Sequence, residues 1–117
     1  MYKVYLISST IEGITCYKIG YTKRNPKQRI KEMKTGNASD LQLISLFESK
    51  WATQIEAKLH KLFSHKKISG EWFELSDTDV KNFQQICKQS HDSIELIAKS
   101  NLWFQNTKIY KKFSQGL

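Results

Sequence analysis

The sequence predicts one small α/β domain in which a three-stranded antiparallel sheet is flanked by helices. Stretches of alternating apolar and polar residues occur early in the chain and again after residue 40, and stretches with helical spacing of apolar residues lie between and after them. The chain has 117 residues, a length typical of one domain. The element order β-β-α-β-α-α then packs the helices against one small sheet.

The first two strands are predicted to form a hairpin. Residues 2–8 and residues 16–22 are rich in β-branched and aromatic side chains, and the segment between them is predicted to be a loop. Alternation along the strands places Tyr5, Lys18 and Gly20 on one face, which we expect to be polar, opposite the core face. A glycine within a strand often marks close approach by a ligand or another backbone.

Helix-start residues and apolar spacing predict the remaining elements. Asn25 and Pro26 start a first helix, because asparagine caps a helix N-terminus and proline suits its first position. A third strand covers residues 41–48, a second helix covers residues 52–64, and Ser76 caps a third helix.

The chain is predicted to divide into a domain and a basic tail. We expect residues 1–90 to form the domain and residues 91–117 to pack on it or trail from it. No apolar stretch is long enough to cross a bilayer, and the first residues lack the zones of a signal peptide. We therefore expect a cytoplasmic or nucleoid-associated protein with no membrane partner, in which Cys16 and Cys87 are reduced thiols.

Positive charge is concentrated in the first third of the chain. The net charge is +8, and residues 1–36 carry eight basic side chains against two acidic ones. Such a positive field favours the binding of a polyanion, because condensed counterions are released when basic side chains bind phosphates. A solvated lysine surface is the alternative explanation. The basic residues expected to contact DNA are Lys23, Arg24, Lys27, Lys31 and Lys34.

Several residues on separate predicted elements have the chemistry to act on a phosphodiester. The ordinary pKa of tyrosine is about 10, so Tyr5 acts as a base only with help from a cation such as Lys18 or from a metal. Arg29 borders the apolar stripe of its helix, where its planar fork can hold a phosphate. Each residue also has a purely structural explanation. Tyr5 would be a half-buried aromatic residue of a strand, Lys18 a lysine at a strand edge and Arg29 a surface arginine.

Glu56 flanks the apolar stripe of the second helix, and His60 lies one turn later on the same side. A carboxylate in this position suits hard Mg²⁺, whose other ligands come from water and phosphate. Thr53 offers a rival explanation, because Thr53-x-x-Glu56 matches a capping box. Two ligands fall short of the usual zinc set, so no zinc site is predicted.

These residues belong to an ordered series of short motifs. The series is Val4-Tyr5, Tyr17-Lys18-Ile19-Gly20-Tyr21-Thr22, Asn25-Pro26, Arg29, Thr35-Gly36-Asn37, Glu56, Leu59-His60, Phe63 and Gly70-Glu71-Trp72-Phe73. It resembles the GIY-YIG nuclease superfamily over about residues 2–75. The resemblance is to the compact branch common in phages and large DNA viruses, which also includes fungal meiotically up-regulated proteins.

The resemblance implies a domain that hydrolyses DNA with one divalent metal, Mg²⁺ or Mn²⁺. Tyr5 corresponds to the first-motif tyrosine, a general base or water-orienting group, and Lys18 takes the place of the second-motif tyrosine. Arg29 matches the phosphate-holding arginine. Glu56 matches the metal-ligating glutamate.

Two departures from the family pattern affect proton delivery. Met33 stands where homing enzymes often have histidine, and no asparagine follows Glu56 within about a dozen residues. His60 or Tyr21 would then substitute. The metal and phosphate roles do not depend on these missing residues.

We therefore expect a metal-dependent DNA endonuclease. One alternative is a DNA-binding module that does not cut, in which the basic N-terminal third binds DNA and Glu56 only caps a helix. Another is an adaptor that uses the tryptophan-rich side and no nucleic acid. Because one domain has little surface for reading a long sequence, we expect weak specificity alone, or a homodimer.

Overall fold

The computed structural model describes residues 1–34 and 40–105, except for the side chains of residues 33, 34 and 102–105. Five antiparallel strands in this part of the chain form one sheet. They are β1 (Lys3–Ile11), β2 (Ile14–Thr22), β3 (Asp40–Glu48), β4 (Lys67–Ser69) and β5 (Trp72–Phe73). Their order across the sheet is β3-β1-β2-β5-β4.

Within residues 1–34 and 40–105, four α-helices accompany the sheet. They are α1 (Pro26–Lys34), α2 (Ala52–Leu62), α3 (Asp77–Lys81) and α4 (Phe83–Gln105). A short 3-10 turn, Ser64–Lys66, joins α2 to β4. No helix in residues 1–34 or 40–105 is long and apolar enough to cross a membrane.

The predicted α/β class is confirmed, but the prediction of three strands is wrong. Strands β4 and β5 contain three residues and two residues, too few to show a clear alternation. The third predicted helix is also two helices, because α3 ends at Lys81 and α4 begins at Phe83.

The β1–β2 hairpin is tighter than predicted. The segment expected to be a loop is mostly strand, and the turn consists of Glu12 and Gly13 with φ angles of 50° and 80°. The register pairs Tyr5 with Gly20 and Leu6 with Ile19. Since directly paired residues share a face, the predicted placement of Tyr5, Lys18 and Gly20 on one face is confirmed.

Both faces of the sheet are buried against helices. On one face Leu6 and Ile19 pack with Ile55 and Leu59 of α2. On the other face Tyr5 belongs to a second apolar cluster that includes the partly buried Ile30 of α1. The expectation that this second face is polar was therefore wrong, because α1 covers part of it.

Helix caps confirm two predicted starts and exclude one predicted capping box. The side chain of Asn25 accepts a hydrogen bond from the backbone N–H of Lys27 at 3.0 Å. Ser76 and Asp79 form a reciprocal capping box at α3. Thr53 caps nothing, because it lies inside α2 and the N-terminus of that helix has no side-chain cap. The structural explanation of Glu56 as a capping residue is thus wrong.

Helix α4 runs without a break across residue 90, the predicted boundary between domain and tail. Residues 106–117, which hold the most basic part of the tail, lie outside the described residues, as does Thr35-Gly36-Asn37. The division into a domain and a tail stays a prediction. Cys87 is buried and Cys16 is half-buried, and both are free thiols.

The Tyr5 ring lies directly against the backbone of Gly20. A Cβ atom at Gly20 would be 2.3 Å from the Tyr5 hydroxyl oxygen and 2.4 Å from Cζ. Any side chain at this position would displace the ring. The glycine is therefore required by a close approach across the two strands.

We expect Gly20→Ala to lower the free energy of unfolding by about 1–3 kcal/mol, because the added methyl overpacks the contact with Tyr5. Chemical denaturation measures this cost. In a Tyr5→Ala background the same substitution should cost much less, since the clashing ring is absent. An equal cost in both backgrounds would show that the contact with Tyr5 is not the cause.

Candidate functional site

The candidate site lies where β5 ends beside β2. Strand β5 pairs only with Tyr17 and Lys18 of β2. At the next residue, the Ile19 N–H donates to the Glu71 carbonyl at 3.2 Å. The Ile19 carbonyl accepts a hydrogen bond from Nε2 of His60 at 2.8 Å. From this point the edge of β2 faces side chains of α2 instead of a neighbouring strand.

Tyr5 reaches this edge from the face that α1 covers. Burial raises the pKa of Tyr5 above its ordinary value; a hydrogen bond with Arg29 opposes this shift, and the charges of Glu71 and Glu56 add to it. The phenol is therefore protonated at neutral pH. Both carboxylates are therefore near enough to act electrostatically on the Tyr5 hydroxyl.

Arg29 lies between Tyr5 and the solvent. Its guanidinium is hydrogen-bonded to Tyr5, which raises the pKa of Arg29. It also lies 3.5 Å from Glu32 on the same helix. The side chain keeps 38% of its surface exposed. It can therefore offer N–H donors to an incoming anion while one side of the fork stays in place.

Glu56 approaches the same edge from α2. Its side chain is only 14% exposed, and one carboxylate oxygen lies 3.4 Å from Nε2 of His60. Burial raises the pKa of Glu56, and the Glu71 charge adds to this shift while His60 opposes it. The His60 ring is held edge-on against Phe73, with the ring centroids 4.9 Å apart. His60 thus links the Glu56 carboxylate to the backbone of β2.

Lys18 points to the same face as Tyr5 but has its own partner. Its ammonium lies 3.3 Å from the Glu71 carboxylate. Arg29, and not Lys18, is the cation hydrogen-bonded to Tyr5. Sequence reasoning did not single out Glu71 as a site residue. The signal was its place in the Gly70-Glu71-Trp72-Phe73 motif, where an acid adjoins two residues expected to be in the core.

The donor set at this edge suits one kind of cation. In residues 1–34 and 40–105, no three His, Cys, Asp or Glu side chains cluster as metal ligands. A zinc site built from protein ligands needs three or four such groups. Mg²⁺ is held by one or two carboxylates, and water and phosphate complete its shell. The single Glu56 carboxylate therefore fits a hard divalent cation better than zinc.

The basic residues predicted to contact DNA lie on and before α1, beside this edge. Arg24 makes two hydrogen bonds to Glu32, at 2.7 and 3.1 Å. The ammonium of Lys23 lies 5.2 Å from the centre of the Tyr2 ring. Lys27 and Lys31 are exposed, and the side chain of Lys34 lies outside the described residues.

The structure brings together Tyr5, Arg29, Glu56 and His60, which the sequence predicted as one site, with Lys18 close by through Glu71.

Comparisons with known proteins identify the domain. Searches of the curated proteins and of the solved structures found no match. A family model described as the T5orf172 domain matches residues 2–89. Because this match spans more than half of the chain and contains all of these site residues, the protein belongs to the T5orf172 domain family.

Proposed function

We propose that this domain is a metal-dependent endonuclease that hydrolyses DNA phosphodiester bonds, with a GIY-YIG-type active site. The observation that carries the proposal is that Tyr5 is hydrogen-bonded to Arg29 and feels the charge of Glu56, although the three residues come from elements on two faces of the sheet. The T5orf172 domain is associated with GIY-YIG-like, nuclease-type folds, which supports the same class.

Arg29 is the residue best placed to hold the scissile phosphate. Its guanidinium is partly exposed and keeps its charge at any pH of interest. Lysines on and before α1 extend the positive surface along which the DNA backbone would lie. Lys18 adds a second cation on the same face once a phosphate competes with Glu71 for its ammonium.

Glu56 would hold Mg²⁺ or Mn²⁺, with water and phosphate oxygens as the other ligands. When bound, the cation stabilises the charge that develops on the phosphate oxygens. His60 would help to position the Glu56 carboxylate, because the Nε2 that donates to the Ile19 carbonyl lies 3.4 Å from a carboxylate oxygen. The half-buried position of Glu56 limits competition from water.

Tyr5 would orient the attacking water. Its oxygen accepts a hydrogen bond from Arg29, so its own proton can point to water or to a phosphate oxygen. Neutralising Glu56 removes one of the charges that raise the pKa of Tyr5. A bound cation would therefore lower the pKa of Tyr5 relative to its pKa in the empty site.

The alternative of a DNA-binding module that does not cut has less support. That alternative needs a structural role for Glu56, and the capping role does not exist in α2. A half-buried carboxylate with a raised pKa is typical of a functional site. The raised pKa of this partly buried carboxylate therefore favours an enzyme over a module that only binds DNA.

We expect Glu56→Gln and Arg29→Ala each to lower the rate of DNA cleavage by about 10²–10³, the usual cost of losing one preorganised electrostatic group. Nicking of supercoiled plasmid with Mg²⁺ or Mn²⁺, with and without EDTA, measures the rate. Glu48→Gln is the matched control, because Glu48 is an exposed glutamate of β3, which lies on the opposite side of β1 from β2. If Glu56→Gln cleaves DNA at the rate of the unsubstituted protein and EDTA still inhibits the cleavage, Glu56 is not the metal ligand.

We also expect Glu56→Gln to raise the free energy of unfolding at pH 7. The folded state raises the pKa of Glu56, so ionisation favours the unfolded chain once the pH exceeds the unfolded value of about 4.3. The penalty is complete above the folded pKa and disappears below the unfolded one. Urea unfolding at pH 7 and at pH 3.5 should therefore show a stability gain only at pH 7. A loss of stability at pH 7 would mean that the carboxylate serves the fold.

A further inference from the structure

A groove of about 500 Å³ lies beside the β1–β2 hairpin and extends to its tip. Its lining includes Ile11, Ile14 and Ile68, together with Cys16 and Trp72. The volume lies within the range of small-molecule sites, which is about 300–1,000 Å³. The groove is large enough for one nucleotide base and its sugar.

The groove neighbours the candidate site on the same face of the sheet. Cys16 precedes Lys18 by two residues on β2, so their side chains share a face about 7 Å apart. Trp72 is the direct cross-strand partner of Lys18. The inner end of the groove, at Cys16 and Trp72, therefore lies next to Lys18 in the sheet, on the face that also carries Tyr5. A base attached to a phosphate at this site can reach the groove without crossing the sheet.

The groove is apolar where it meets solvent. Ile11, Ile14 and Ile68 are 58%, 69% and 53% exposed. Exposed large apolar residues that gather around one concave surface indicate a binding site. The half-buried Trp72 adds an aromatic ring. Apolar and aromatic side chains suit the flat face of a base, and not a phosphate or a sugar.

Charged residues near the two ends of the groove favour one orientation of a bound nucleotide. Glu12 lines the outer end of the groove, at the hairpin turn. Its carboxylate disfavours a phosphate at that end, whereas Lys18 attracts one at the inner end. A nucleotide in the groove would therefore lie with its phosphate towards Lys18 and its base towards the hairpin tip.

We propose that this groove binds one unpaired base next to the phosphate that is cut. The substrate class is then DNA with an unpaired nucleotide, such as a bulge, a flap or a single strand, because a base stacked within a duplex cannot enter. This inference rests on the proposed nuclease function and adds the substrate class to it.

Fluorescence anisotropy in EDTA tests the proposal without cleavage, using a labelled duplex and the same duplex with one extra unpaired nucleotide. We expect the protein to bind the bulged duplex between about fivefold and a hundredfold more tightly, the range for placing one base against an aromatic side chain. Ile14→Ser and Ile68→Ser should remove this preference and leave affinity for the paired duplex unchanged. Ile44→Ser is the matched control, an exposed isoleucine of β3 outside the groove.

Each other outcome overturns the inference in a recognisable way. Equal affinity for both duplexes, with cleavage that still depends on Glu56, refutes the base groove and leaves the nuclease function intact. Failure to bind or cut either duplex refutes both. If Ile14→Ser converts a dimer into a monomer in sedimentation and leaves the bulge preference unchanged, the groove is instead an interface between copies of the chain.

Discussion

The contact between the Tyr5 ring and the backbone of Gly20 determines where the candidate site lies. Tyr5 belongs to the apolar cluster under α1, whereas Glu56 is on α2, which packs on the opposite face of the sheet. Groups on opposite faces are normally separated by the thickness of the backbone and its side chains. Here the phenol passes over a residue without a side chain and reaches the edge of β2, where the charge of Glu56 acts on it. The site is therefore at a strand edge and open to both faces.

The short length of β5 keeps that edge accessible. If β5 continued its pairing beyond Lys18, the polar groups of Ile19 would be occupied by a strand. Instead the Ile19 carbonyl is bound by His60, which also contacts Glu56. An unpaired strand edge is usually a liability, because its free polar groups can pair with another chain. In this domain α2 covers part of the edge with the ionisable side chains of His60 and Glu56.

The sequence predicted the local features well and the long-range ones poorly. Alternation in the hairpin was enough to place Tyr5 and Gly20 on one face, and the register confirms it. It did not predict the burial of Tyr5, because the cover comes from α1, which is distant in sequence. Strands β4 and β5 were missed as strands, since such short segments form only by pairing with β2. Thr53 matched a capping box by spacing alone, but α2 begins at Ala52 and places it inside the helix. The ion pair between Lys18 and Glu71 likewise depends on pairing that no local pattern reveals.

The balance of charge around the site gives Glu56 a distinct position. Glu71 is paired with Lys18, and Glu32 is paired with Arg24 and Arg29. Within the described part of the chain, the ion-pair partner found for Glu56 is His60, a side chain that is charged only when protonated. Burying an acid without a fixed positive partner costs stability, which is why the folded state raises the pKa of Glu56. A divalent cation would supply the missing charge. The same feature that makes this carboxylate unfavourable for the fold therefore makes it suitable for holding a metal.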